Sequence, residues 1–236
     1  MYYLTDTFDA DPRDHCAMEA MLYDAGMEVF APSTFNKKVV FVGREVSADS
    51  LKPNDLGVIL ARYIGTGGPV FFDENVVKFI FMLDDDGRGS EQYQTDLQDW
   101  VLYSLYKLGV TASKDGNDIY VNGMKVGGIG YREYAGKILL PFFLTLVIDY
   151  DTAEACLNLT KHGGDIRLRA SGINDQIETP ITREQLCSSL HDNMKYFFDV
   201  DSEEKLTTEI LDADALSSLC EKFASDEWLN DDTLPT

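Results

Sequence analysis

Histidine and cysteine are scarce: the 236 residues contain three histidines and four cysteines. His15, His162 and His191 lie far apart, and Cys16, Cys156, Cys187 and Cys220 form no Cys-x-x-Cys pair. A zinc site therefore has nothing to build on, and no disulfide framework is indicated. No run of eighteen apolar residues occurs, and Lys137 to Ile148 is too short to span a bilayer. The N-terminus, Met1-Tyr2-Tyr3-Leu4-Thr5-Asp6, lacks the basic and apolar regions of a signal peptide, so the expected compartment is the cytoplasm. Positive charge is also short. Lys and Arg number 20 against 41 Asp and Glu, a formal net charge of −21. Nucleic-acid binding through the bulk surface is excluded, because it rests on neutralising phosphates with Lys and Arg. Asp84-Asp85-Asp86 and Asp231-Asp232 fall in apparent loops, as a solvated acidic surface requires.

What is present is a folded chain. Its length allows one domain with a full core, and its apolar and charged fractions are ordinary for a globular protein. Apolar spacing predicts a helix near 14–23 and strands at 38–43 and 70–82. Leu97, Val101, Leu105 and Leu108 share one face of a helix over 95–108, with Gly109 as its stop. A strand is expected over 138–148 and a short helix around Cys156, between Asp151 and Lys161. Helices follow at 183–197, opened by a capping box of Thr182 and Gln185, and at 214–223. The order predicts an α+β fold: a single domain, 1–236, on a mostly antiparallel sheet flanked by helices.

Two segments carry chemistry. Asn117-Asp118-Ile119-Tyr120-Val121-Asn122-Gly123-Met124-Lys125-Val126-Gly127-Gly128 reads as a hairpin turning at Asn122-Gly123. It delivers Lys125 in front of a glycine pair, where a phosphate-bearing ligand could approach the backbone beside a compact positive charge. Upstream, Arg62-Tyr63-Ile64-Gly65-Thr66-Gly67-Gly68-Pro69-Val70-Phe71-Phe72-Asp73 is a glycine-rich turn leading into an apolar strand. Its N–H groups can form an anion-binding concavity. It is neither a Walker A loop nor a dinucleotide fingerprint, since no Gly-Lys-Ser/Thr and no helix pattern follow.

Taken together, these segments resemble the motifs of the lipoate–protein ligase family and its biotin-ligase relatives. Leu4 to Asp9 with Ala17-Met18-Glu19 is similar to the family's opening strand and helix. Ile166-Arg167-Leu168-Arg169 looks like its Val-Arg-Ser-Arg strand, and Phe223 to Trp228 resembles its closing Tyr-x-Ser-x-Glu-Trp segment. The resemblance implies that ATP activates lipoate or octanoate to an acyl-adenylate, which is then transferred to an acceptor lysine. It implies Lys125 as the catalytic residue. Arg62, Tyr63, Gly67, Gly68, Pro69, Val70, Phe71, Asn117, Asp118, Gly127 and Gly128 would bind ATP and acyl-adenylate, with Asp118 contacting Mg2+. The implied partner is a lipoyl-domain protein or a glycine cleavage H-like protein. The C-terminal accessory domain of many relatives is expected to be absent, with a separate accessory subunit in its place; neither nucleic acid nor membrane is expected as a partner.

Departures from the pattern matter. Tyr63 stands where the family has an arginine, and Thr66, Pro69 and Phe72 replace a glycine, an alanine and a histidine. Phe142-Phe143-Leu144-Thr145 replaces His-His-Gly-Thr, and both phenylalanines read as core residues of a strand. The phosphate end is thereby expected to be short of polar contacts, and the added aromatic bulk suits a linear acyl chain better than a ureido ring. Two alternatives remain: an ATP-independent octanoyl or lipoyl transferase using Cys156 or Lys125, and a non-catalytic ligand-binding paralogue.

Overall fold

The computed structural model describes residues 2–3, 8–9, 11–35, 37–43, 46, 56–65, 67–134, 136–157, 164–199, 204–205 and 213–230. Leu4–Thr7, Thr66, Lys161, His162 and Asp231-Asp232 lie outside them.

Among the described residues eleven strands form one sheet. Its centre is β7 (Val76–Asp84), a nine-residue run buried on both faces except at its end. On one side β7 pairs antiparallel with β3 (Val29–Thr34), followed by the short parallel strand β1 (Tyr2–Tyr3) and then β14 (Glu204–Lys205). On the other side come β13 (Phe142–Thr145), β10 (Met124–Ile129), β9 (Asp118–Val121) and β8 (Ala112–Asp115), all antiparallel. The strands β2 (Phe8–Asp9), β11 (Arg132–Tyr134) and β12 (Lys137–Leu139) join its margins. A second sheet has the order β5 (Ile59–Arg62), β4 (Val39–Val42), β6 (Val70–Phe72).

Alternation along β7 assigns its two faces. Val77, Phe79 and Phe81 point toward α2 (Ser90–Lys107) and α4 (Arg183–Met194), where Phe30, Trp100 and Phe142 complete an aromatic core. Trp100 is buried with its indole N–H satisfied by the Leu190 carbonyl at 2.9 Å. Val76, Ile80 and Met82 face the other way, toward α1 (Pro12–Asp24) and the small sheet. Helices α5 (Ala213–Ala224) and α6 (Asp226–Asn230) cover α1 and β5.

Several boundaries differ from expectation for physical reasons. The run over 70–82 breaks into β6 and β7 because Asp73 caps a turn, accepting from the Asn75 N–H at 2.8 Å. The run over 138–148 breaks at Leu140-Pro141, since Pro141 has no N–H to give a ladder, and β13 ends at Thr145. Helix α2 starts five residues early, at Ser90, where Tyr93 and Arg88 tie down Asp86 in the preceding loop. Residues Ile166–Leu168, expected as a strand, form a 3-10 turn whose Asp165 side chain accepts from the Arg167 N–H. The capping box of Thr182 and Gln185 is present as expected.

Arg62 holds the small sheet to the C-terminal helix. Its guanidinium is buried and donates to the carbonyls of Leu229 (3.1 and 2.9 Å), Gly43 (2.8 Å) and Val46 (3.1 Å). In return the Trp228 indole donates to the Arg62 carbonyl at 3.0 Å, and Phe223 packs on the Trp228 ring. Replacing Arg62 strands several buried carbonyls at once. Arg62→Met should destabilise the protein by roughly 3 kcal/mol or more in denaturant unfolding; a loss under about 1 kcal/mol would contradict this role.

Candidate functional site

The lysine hairpin contains a β-bulge that decides where Lys125 points. Met124 and Lys125 pair with Val121 and Tyr120, but the register then shifts, so that Gly127 and Gly128 pair with Ile119 and Asp118. Val126 is the extra residue, buried in the core under α2. In an unbroken ladder Lys125 and Gly128, three apart, would face opposite sides of the sheet. The bulge returns Lys125 to the face of Asp118 and Tyr120. There its ammonium lies 2.7 Å from the Asp118 carboxylate, each side chain about one-third exposed. The Lys125 backbone is clamped as well: its N–H donates to the Arg169 carbonyl (2.8 Å) and its carbonyl accepts from Ser171 (2.9 Å).

Two cavities meet at this lysine. The larger, about 430 Å³, runs between Pro69-Val70-Phe71, the hairpin and the 166–170 turn, and Asp73, Tyr120, Thr145, Asp149 and Arg169 also face it. The smaller, about 200 Å³, runs under the glycine turn between the two sheets. Val70, Asp118, Lys125 and Phe143 line both.

Ten of the twelve residues singled out in the sequence line one cavity or the other. Pro69, Val70, Phe71 and Gly127 face the larger, Tyr63, Gly67, Gly68 and Gly128 the smaller, and Lys125 and Asp118 both. Two do not. The Arg62 guanidinium is buried among carbonyls, as described above. Asn117 is exposed outside both cavities, and its carbonyl accepts from the Ile129 N–H at 2.9 Å.

The glycines serve packing as much as ligand access. A Cβ on Gly127 would lie 2.4 Å from the Phe143 carbonyl oxygen, and one on Gly128 would lie 3.1 Å from the Phe143 ring. In the glycine turn, Gly65 and Gly67 fold over the Tyr63 side chain: a Cβ on Gly65 would strike its ring at 2.8 Å, and one on Gly67 its hydroxyl at 2.5 Å. Gly67 also has φ +138. Gly68 alone in that turn has open space around it.

A third cation was not foreseen. Lys78, in the middle of β7, lines the smaller cavity with its ammonium 5.6 Å from the ring centroids of Phe41 and Tyr63. It is buried, and from α1 it meets Glu19, in a close ion pair, and the His15 Nε2 at 2.9 Å. An ammonium only donates, so this imidazole nitrogen accepts. Burial, and then the Lys78 charge, lowers the His15 pKa to about 4. Burial would raise the Glu19 carboxyl, but Lys78 beside it and the His15 contact hold it well below its ordinary value. A positive charge, matched by Glu19, thus enters beside Tyr63 from β7. Spacing could have flagged Lys78 as the one charge in the apolar run 76–83, but not its partners.

Cys156 ends α3 (Tyr150–Cys156), buried in an apolar cluster with Val40, Val42 and Leu157, and lines neither cavity. Among the described residues no group of three or more His, Cys, Asp or Glu could hold a metal ion. Nor is any helix among them long and apolar enough to cross a membrane.

Comparison with known proteins decides the family. The lipoyl protein ligase A/B catalytic domain matches residues 11–195. The chain belongs to that family. Among curated relatives it is 26% identical over 168 residues to the lipoate-protein ligase LplJ of Bacillus subtilis, matching 66% of this chain and 50% of that one. The chain therefore spans about half the length of this relative. Its fold is that of solved family members. A lipoate-protein ligase A bound with ATP superposes with a TM-score of 0.82 at 18% identity, covering 98% of both chains. A bi-partite lipoate protein ligase from Thermoplasma acidophilum, from a structural analysis of that ligase and its E2 lipoyl domain, gives 0.82 at 19% identity over 100% of this chain and 97% of that one.

Two tests address this geometry. Gly127→Ala should lose roughly 1–3 kcal/mol or more of stability, because the new methyl meets a backbone carbonyl that cannot rotate away. Gly68→Ala should change stability by less than about 0.5 kcal/mol. Equal effects in denaturant unfolding would refute the contrast. The second concerns His15, whose native pKa of about 4 lies below its ordinary 6.5. Between those values the unfolded chain binds a proton that the native state does not. Stability is therefore fully present above about pH 6.5 and falls as pH drops toward 4, by on the order of 3 kcal/mol in all. His15→Gln should flatten this dependence in urea unfolding between pH 7 and 4.5; an unchanged slope would refute the assignment.

Proposed function

We propose that the protein is an ATP-dependent lipoate–protein ligase. In this reading it activates lipoate or octanoate to an acyl-adenylate and passes the acyl group to a lysine of an acceptor protein. The observation that carries the reading is the convergence of two cavities on Lys125. A nucleotide fits the larger, with Arg169 and Lys125 as cations. An acyl chain fits the smaller, between Phe41, Phe72 and Phe143. The two reacting ends then meet beside one ammonium. The acid's carboxylate oxygen bonds to the α-phosphorus and pyrophosphate leaves; an acceptor amine next attacks the carbonyl carbon, releasing AMP and a proton. Lys125 neutralises the negative charge that gathers between carboxylate and phosphate, and Asp118 orients it. A magnesium ion in this site would take most of its ligands from the nucleotide's phosphates and water, with Asp118 as a candidate protein carboxylate.

The family, and a solved relative described together with its E2 lipoyl domain, support a lipoyl-domain acceptor, with a glycine cleavage H-like protein as the other candidate. The bi-partite organisation of that relative supports a separate accessory subunit here, with the catalytic domain held in this chain. A cytoplasmic location fits such a pairing. The burial of Cys156 away from both cavities weighs against a thiol-based transferase.

Incubation with ATP and lipoate or octanoate should yield acyl-AMP detectable by mass spectrometry. Lys125→Ala should retain the parent's melting curve and lower that yield at least about a hundredfold. Near-normal product from the alanine variant would overturn the assignment.

A further inference from the structure

Lys78, Phe143, Gly128 and Asp118 form one row across four strands: Lys78 pairs with Phe143, Phe143 with Gly128, and Gly128 with Asp118. Paired residues project from the same face of the sheet. Lys78 therefore stands about 14 Å from Asp118, three strand spacings of nearly 5 Å each, at the far end of the smaller cavity from Lys125. Gly128 keeps the row open between them, since a Cβ there would press on both the Phe143 ring and the Asp118 carboxylate.

An ammonium has three N–H donors. Two are taken by Glu19 and His15; among the described residues no third acceptor meets Lys78, and the remaining neighbours on the cavity side are the faces of Phe41 and Tyr63. The charge itself is already balanced, because Glu19 is ionised beside it and His15 is neutral. A second carboxylate here would be buried without a counter-charge, which is costly. A neutral oxygen would meet the third N–H without adding charge. A purely aliphatic end would leave it unsatisfied.

We propose that the far end of the smaller cavity is a specificity subsite, in which Lys78 receives a neutral hydrogen-bond-accepting oxygen, of carbonyl type, near the distal end of the carboxylic acid substrate. This rests on the reading of the smaller cavity as the acyl site and ranks an acid with such an oxygen above octanoate, whose tail has no acceptor. Lys78 is a binding residue for the acyl tail, remote from the reacting atoms. The His15–Glu19 pair positions it.

The test is binding, by calorimetry, of non-reactive acyl-sulfamoyl-adenosine analogues, so that no step of catalysis enters. The 7-oxooctanoyl analogue should bind about tenfold more tightly than the octanoyl analogue, the size of one charge-assisted hydrogen bond. The octanedioyl analogue, ending in a carboxylate, should bind more weakly than the 7-oxooctanoyl one. In Lys78→Met/Glu19→Gln, which removes the pair without stranding a charge, the oxo preference should shrink to within about twofold. A second comparison needs no variant: the 4-oxooctanoyl analogue, its oxygen far from Lys78, should show no gain over octanoyl. Octanoyl binding as tight as 7-oxooctanoyl, a gain that is the same at both positions, or a preference that survives in a folded double variant would overturn the subsite and leave the acyl-adenylate reading standing. If none of the analogues binds the parent protein, both fall.

Discussion

The close approach of β10 to β13 is the constraint on which the site depends. At Gly127 the two backbones leave no room for a methyl group, so the strands lock in one register. That register fixes which hairpin residues face the cavities, and the Val126 bulge completes the arrangement by turning Lys125 onto the same face as Asp118. A slip by one residue would exchange core and cavity faces along the whole strand. The same ladder continues through Phe143 to β7, so the reacting end and the far end of the smaller cavity are fixed by one set of backbone hydrogen bonds. Loops supply the remaining walls, but the distances along the floor are those of a sheet.

Local signals were legible in the sequence and distant ones were not. The Asn122-Gly123 turn, the lysine before two glycines, the capping box of Thr182 and Gln185, and the helical face of Leu97, Val101 and Leu105 each need only a few neighbouring residues to read. Their existence and most of their contacts match. The bulge left no mark, because Val126 is apolar and fits either register until its partner strand is known. Arg62 sits inside a motif that suggests ligand contact, yet its acceptors include a carbonyl 167 positions away. Lys78 is a single charge in an apolar strand, and its partners lie on α1, 59 and 63 positions earlier. Ile166–Leu168 resembles a strand of the family, but the Asp165 side chain offers the backbone a tighter turn.

Charge is distributed in a similar two-level way. The surface carries a large acidic excess, yet both cavities present cations at their decisive points: Lys125, Lys78 and Arg169. Two of these are matched by one carboxylate each, Asp118 and Glu19, so the interior positions are locally balanced inside an acidic shell. Repulsion between such a shell and an acidic partner is screened beyond about 8 Å at physiological salt. Short-range contacts near the cavity mouth therefore govern docking more than net charge does.

The Arg62 contact has a consequence for the order in which the protein matures. A chain emerging from the ribosome produces β5 and the glycine turn well before the carbonyl of Leu229 that anchors Arg62, which follows 167 positions later. Until then a guanidinium destined for the interior has lost one of its acceptors, and the small sheet has no lid of α6 over it. Contacts so far apart in sequence form slowly. The roof of the cavities is thus set after the lysine hairpin, and a nascent chain can hold much of the large sheet with that hairpin before it can close a pocket around any ligand.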